Sequence, residues 1–194
     1  QEKSNYCLNC KIKPCSNKGC PLNNNIPEFI KQIKEQNYKE AYKILQNTTV
    51  LQPICGRICP HKKQCEGSCV RGIKGEPVGI GRLERFVADY CMQNCEEKIE
   101  KTVKDDAQKV AIIGSGPAGL ACAGDLAKKG YQVTIFEALH TAGGVLSYGI
   151  PEFRLPKDKV VKPEIDNLRK FMSLCKNLIL MLYLLLQEQG YLIL

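Results

Sequence analysis

Eight of the twelve cysteines in this 194-residue chain lie between positions 7 and 69, in two short groups. The first runs Cys7-x2-Cys10-x4-Cys15-x4-Cys20, with Pro21 next; the second runs Cys55-x3-Cys59-x5-Cys65-x3-Cys69, with Pro60 after Cys59. Soft thiolates at such short spacing hold iron–sulfur clusters or tetrahedral zinc. Zinc ribbons favour two well-separated pairs, whereas three or four thiols crowd each of these segments. In two-cluster ferredoxins the cysteine before a proline serves the other cluster from its neighbours, and Cys20 and Cys59 both precede proline. Spacing alone leaves iron–sulfur and zinc chemistry both open.

A second chemistry-bearing segment is KVAIIGSGPAGLACAGDL. Gly114, Ser115, Gly116, Pro117, Ala118 and Gly119 follow an apolar run and open a helical pattern, the context a dinucleotide fingerprint requires. The first glycine permits the tight turn, the second lets backbone approach a pyrophosphate, and the third lets helix pack on strand. The helix N-terminus then offers its N–H groups to the phosphate charge. Glu137 lies eighteen residues beyond Gly119, where a carboxylate accepts from ribose hydroxyls and disfavours a 2′-phosphate. The fingerprint by itself does not separate FAD from NAD. Clusters move single electrons and a flavin divides a hydride's pair, so the two segments together point to an electron-transfer flavoprotein.

The elements that must position these residues change character along the chain. Residues 1–24 read as cysteine-rich loop. Pro27 reads as a first-turn residue for helices through PEFIKQIKEQ and YKEAYKILQNT, with apolar residues three and four apart. Residues 54–77, studded with Gly, Cys and Pro, read as loop, and 80–101 as an amphipathic helix ending in charge. Residues 102–108, TVKDDAQ, are the linker candidate, with a boundary near 105. A strand over 109–113, a helix over 117–129 and a strand over 131–137 make a βαβ-type opening. A glycine- and proline-rich loop over 142–156 and a helix over 157–172 follow. The expected fold is therefore an α-helical cysteine-rich domain over 1–105, then a partial α/β Rossmann-like dinucleotide-binding domain over 106–172. Residues 173–194 read as an atypical leucine-rich tail, with no further strand to finish the sheet.

Composition narrows the partners. The hydrophobic fraction is 44% and the charged fraction 25%, ordinary for a globular protein. The formal charge is +8. Seven ionised thiols around two [4Fe–4S]2+ cores lower this to about +5, and a flavin pyrophosphate to about +3, so no nucleic acid is needed to balance it. The chain opens with polar Gln1-Glu2-Lys3-Ser4-Asn5, in which no signal peptide is visible, a leader removed before Gln1 being left open, and the apolar run over 178–186 is too short to span a bilayer. No membrane partner and a cytoplasmic setting are expected.

CLNCKIKPCSNKGCPLNNNIPEFI, CGRICPHKKQCEGSCVRGIKGEPVGIGRLERF, VAIIGSGPAGL and EALHTAGGVLSYGIPEFRLP occur in that order over about residues 6–171. Together they resemble the glutamate synthase small (beta) subunit family. That family includes the FAD-containing subunit of NADH-dependent ferredoxin:NADP oxidoreductases, and it shares modules with the N-terminal half of dihydropyrimidine dehydrogenase. The resemblance implies that Cys7, Cys10, Cys15 and Cys69 hold one [4Fe–4S] cluster. Cys20, Cys59 and Cys65 would hold a second, with Glu84 at the non-cysteine fourth position. It implies an iron–sulfur domain over 1–105 and an FAD-binding domain over 106–172, with the FAD contacted by the fingerprint and by a following loop with Gly144, Leu146 and Arg154. Cys55 is then spare. Cys91 and Cys95, at i and i+4, read as helix-packing thiols for which a metal or redox pair is geometrically open. Cys122 and Cys175 receive no chemistry, and His61 and His140 read as loop residues.

By resemblance, the function is that of a NAD(P)H-dependent oxidoreductase subunit, glutamate synthase-like, passing electrons between FAD and a large catalytic or flavin/iron–sulfur partner subunit, or ferredoxin. NAD(P)H would bind only through a domain missing from this chain, so the chain alone is expected to be incomplete as an enzyme. The alternatives are an electron-bifurcating ferredoxin:NADP oxidoreductase subunit, toward which EALH and GIPEFRLPK lean, a non-catalytic iron–sulfur relay module, and a zinc domain with a decayed nucleotide motif.

Overall fold

A computed structural model describes residues 2–95, 106–170, 172–176 and 192–193. The chain divides into two compact units, Gln1–Glu97 and Lys98–Leu194.

The first unit contains α1 (Glu2–Asn5), α2 (Ile26–Lys34), α3 (Tyr38–Gln46), α4 (Gln52–Ile58) and α5 (Ile80–Asn94). A π turn at Cys15–Gly19 and 3-10 turns at His61–Lys63 and Val70–Ile73 carry most of the cysteine-rich segments. Pro27 sits in the first turn of α2, where its missing N–H costs nothing. Ile26, Phe29, Ile30 and Ile33 then fall on one face and are all buried. They pack with Ala41, Tyr42 and Leu45 of α3 and with Ile80, Leu83, Val87 and Ala88 of α5.

The reading of 54–77 as loop needs correcting at its start, where α4 forms. Its glycine is there for packing: a Cβ on Gly56 would lie 2.7 Å from the Arg85 backbone nitrogen of α5. The close approach lets Arg57 bond both oxygens of Asp89, at 2.7 and 2.9 Å. Likewise, residues 1–24 are not all loop, since they hold α1 and the π turn.

The second unit contains β1 (Lys109–Ile113), α6 (Pro117–Lys128), β2 (Gln132–Glu137), α7 (Val145–Tyr148), a π turn at Lys157–Val161, α8 (Lys162–Leu168), β3 (Ser173–Lys176) and β4 (Leu192–Ile193). The strands form one parallel sheet in the order β3-β2-β1-β4, the first four places of the doubly wound order. Val110 pairs with Val133 and Ile112 with Ile135. All four lie on one face and are buried, and Ala111, Thr134 and Phe136 on the other face are buried too, as expected of a sheet covered on both faces. The expectation of a sheet without further strands is therefore corrected, because β3 and β4 both fall within 173–194. These two strands hold only four and two residues, too few to show the alternation that marks a strand in sequence. The expected helix over 157–172 is shorter, a π turn running into α8. Residues 102–105 of the linker and 177–191 of the tail lie outside the described residues.

Candidate functional site

The cysteine-rich segments build two cavities in the first unit. Cys7, Cys10, Cys15 and Cys69 line one, with Ile26, Ile30, Val78 and Ile80. Cys20, Cys59, Cys65 and Glu84 line the other, with Phe29, Cys55 and His61. Ile26 and Ile80 border both, forming a shared apolar wall. The first is a tight cleft of about 20 Å³ and the second opens to about 110 Å³.

Local structure explains the partition. Cys15 opens the π turn and Cys20 follows it, with the Cys20 N–H donating to the Cys15 and Ser16 carbonyls. One turn thus sends two nearby thiols to different cavities. Gly19 permits the join to the second group, since a Cβ there would lie 2.7 Å from the Cys65 Cα. The first ring is closed from the far side by Arg71, whose Nε donates to the Tyr6 carbonyl at 3.0 Å and whose guanidinium covers the Tyr6 ring. Lys34 Nζ donates to the Cys7 carbonyl at 3.0 Å and holds the same segment on α2.

Electrostatics in the cavities disfavour bare thiolates at Cys15, Cys55 and Cys65. Burial pushes the Cys15 thiol up, and burial with the Glu84 charge pushes Cys65 up to about 12. Cys55 shares its proton with Cys59, which raises Cys55 and lowers Cys59. A bound cation reverses such penalties by stabilising the thiolate directly. Two buried polar atoms facing the second cavity, Asn24 Oδ1 and His61 Nε2, have no hydrogen-bond partner. Among the described residues no three potential ligands converge closely enough for a single metal ion. Four thiols ringing a cavity instead suit a cluster, whose ligands stand much further apart than those of one tetrahedral ion.

His61 is the residue that sequence reasoning missed. Read as plain loop, it forms part of a 3-10 turn and lies 3.7 Å from Glu84. The Glu84 carboxylate raises the His61 pKa. The imidazole is seated against α5 at Gly81, where any Cβ would lie 2.4–2.6 Å from the ring. Glu84 itself is 8% exposed and falls in the buried stripe of α5 between Leu83 and Val87. A carboxylate buried on an apolar helical face marks a position that needs a polar or charged partner.

In the second unit the fingerprint forms the turn from β1 into α6. Gly114 has φ of +97°, which a side chain would oppose. A Cβ on Gly119 would lie 2.1 Å from the Gly114 carbonyl oxygen, so the helix start rests directly on the strand end. Gly116 caps α6 without any side-chain bond, leaving the first N–H groups to a ligand or water. Gly144, at φ +53°, approaches Gly116 so closely that a Cβ would lie 2.9 Å from the Gly116 Cα. The Gly143 N–H donates to Ser115 Oγ at 3.0 Å. The structure therefore brings together the fingerprint, the Gly143-Gly144 loop and Glu137. Leu146 is fully buried beside them, whereas Arg154 is exposed.

Glu137 holds this loop. Its Oε2 accepts the Ser115 N–H at 2.9 Å and the Ser115 hydroxyl, and its Oε1 accepts the Leu139 N–H at 2.9 Å. Burial raises its pKa, but these bonds outweigh burial and leave it below its ordinary 4.5. A depressed carboxylate contributes stability in full above that ordinary value and loses it as pH falls through the lower folded value. The melting-temperature advantage of wild type over Glu137→Gln should accordingly be constant above about pH 5 and shrink below about pH 4. An advantage independent of pH would show that the carboxylate charge does not hold the loop.

Residues 1–96 match the family model for dihydropyrimidine dehydrogenase domain II, 4Fe-4S cluster, and residues 112–157 match an NAD(P)-binding Rossmann-like domain. The chain is 40% identical over 169 residues to the NAD-dependent dihydropyrimidine dehydrogenase subunit PreT of Escherichia coli, covering 87% of this chain and 40% of that one. It is 38% identical over 160 residues to the glutamate synthase [NADPH] small chain of the same organism, covering 82% and 34%. It is 41% identical over 177 residues to the NADP(+)-dependent formate dehydrogenase subunit beta of Moorella thermoacetica, covering 80% and 24%. The chain belongs to this family of iron–sulfur oxidoreductase subunits, the family of the glutamate synthase small chains. The chain spans about a quarter to two fifths of the length of these relatives. The family match assigns [4Fe–4S] chemistry to the first unit, and the zinc alternative falls away. No helix among the described residues is long and apolar enough to cross a membrane.

Proposed function

We propose that this chain is the electron-transfer portion of a NAD(P)H-dependent oxidoreductase subunit, holding two [4Fe–4S] clusters and an FAD. The observation that carries the reading is the sorting of the cysteines into two rings that share the Ile26–Ile80 wall. Cys7, Cys10, Cys15 and Cys69 hold one cluster, and Cys20, Cys59, Cys65 and Glu84 the other. When bound, such clusters carry single electrons and a flavin exchanges them for the pair of a hydride. The chain's residues supply the rest: the thiols fix the two centres across one apolar wall, and buried side chains exclude water from them. The uncapped start of α6 receives a pyrophosphate, and Glu137 receives ribose and disfavours a 2′-phosphate.

NAD(P)H binding belongs in a further domain, and the final acceptor in a partner: a large catalytic subunit, a flavin/iron–sulfur subunit or ferredoxin. A cytoplasmic setting suits thiolate-held clusters.

Anaerobic reconstitution with iron and sulfide tests the proposal, with about eight iron expected per chain. Flavin should stay with the protein through gel filtration; loss of the flavin with both clusters retained would leave only an iron–sulfur relay module. Glu84→Ala should shift the reduction potential of one cluster and leave the other unchanged. Two clusters with unaltered potentials in that variant would reject Glu84 as a ligand.

A further inference from the structure

We propose that Cys91 and Cys95 are a reversible thiol–disulfide site, oxidised by a low-molecular-weight disulfide of the glutathione type. Neither residue lines either cluster cavity, so the pair stands apart from the ligand thiols. Their sulfurs are already in contact, at 2.6 Å. The Cys95 N–H donates to the Cys91 carbonyl at 3.0 Å, which keeps the two residues on one helical turn. Helix geometry places such Cα atoms about 6 Å apart, within the range a disulfide spans. Cys95 closes α5 with φ −104° and ψ 115°, so its backbone has left the helical conformation and its Cβ is turned from the regular position. That departure brings the i and i+4 sulfurs together, which a continuous helix would hold further apart.

The two thiols differ in the way exchange requires. Cys91 is 3% exposed, and its S–H donates to the Tyr38 carbonyl of α3 at 3.6 Å. Cys95 is half-buried and reachable from solvent. Cys95, as thiolate, attacks one sulfur of the small disulfide, forming a mixed disulfide and releasing one thiol. Cys91 then loses its proton and attacks the Cys95 sulfur, forming the Cys91–Cys95 bond and releasing the second thiol. Two protein thiols are oxidised and one small disulfide is reduced to two thiols. Closure also removes the S–H that Cys91 donates to Tyr38, so oxidation weakens one contact between α3 and α5.

Trypsin isolates the site, because residues 86–98 contain both cysteines, no other cysteine and no internal Lys or Arg. The reconstituted chain is equilibrated anaerobically with reduced and oxidised glutathione, and remaining thiols are blocked with N-ethylmaleimide before peptide mass analysis. The expected result is an unlabelled, internally bridged 86–98 peptide in oxidising mixtures that becomes doubly labelled after dithiothreitol. Cys91→Ser should trap a stable glutathione adduct on Cys95, because the resolving thiol is gone. A wild-type peptide doubly labelled at every ratio, carrying two separate adducts, or bridged to another cysteine would overturn the proposal. The wild-type result decides even if the variant fails to fold, and it is read independently of the cluster count.

Discussion

Cys69→Ser should lower bound iron from about eight to about four per chain while the Cys20–Cys59–Cys65–Glu84 centre keeps its spectrum, and Cys65→Ser should do the reverse. The two cysteines are four residues apart, yet Cys65 faces the second cavity with Cys20 and Cys59, and Cys69 faces the first with Cys7, Cys10 and Cys15. On the proposed ligand sets, each variant would remove one of four donors and leave an iron site with an oxygen or water in place of a soft thiolate, which weakens the whole cluster. Iron and acid-labile sulfide analysis with low-temperature electron paramagnetic resonance would read the result. Loss of the same centre in both variants would overturn the partition. Because metal binding is also folding free energy, both variants should melt at lower temperature than wild type.

Gly119→Ala should destabilise the second unit by about 1–3 kcal/mol through overpacking, and the displaced loop should weaken FAD binding at least about tenfold. Its Cβ would lie 2.1 Å from the Gly114 carbonyl oxygen, and backbone cannot rotate away as a side chain can. Gly116→Ala is the discriminating partner. No atom lies within 4 Å of where its Cβ would stand, and its φ of −65° is ordinary, so the fold should be unaffected. A methyl there would still stand where backbone meets pyrophosphate, so FAD affinity should fall without a change in melting temperature. Thermal melts with flavin-binding titrations separate the two effects; equal melting losses in both variants would refute the division of roles.

Much of the second unit was legible because its signals are local. The fingerprint, the apolar run over 109–113 and Pro117 all act within a few residues of themselves, and β1 and α6 lie where those signals place them. α4 was hidden because its glycine and cysteine look like loop residues, and only the approach of α5 gives Gly56 its purpose. β3 and β4 were hidden because runs of four and two residues are too short to show a strand period. His61 had no signal of its own, since the partner that gives it meaning, Glu84, is 23 residues away.

By itself, then, the sequence determined the chemical inventory: soft thiolates in two groups, a phosphate-binding turn with its terminal acid, and motifs of one family in one order. These depend on residue type and short spacing, which a chain carries whether folded or not. The resemblance implied a grouping of the thiols with Glu84; only tertiary structure decided that they line two cavities, together with the seat of His61 against Gly81 and the contact of Cys91 with Cys95. Each of those depends on where a π turn, a helix crossing or a helix end directs a side chain. A rotation of one residue there sends a sulfur into a different cavity without altering the spacing in sequence.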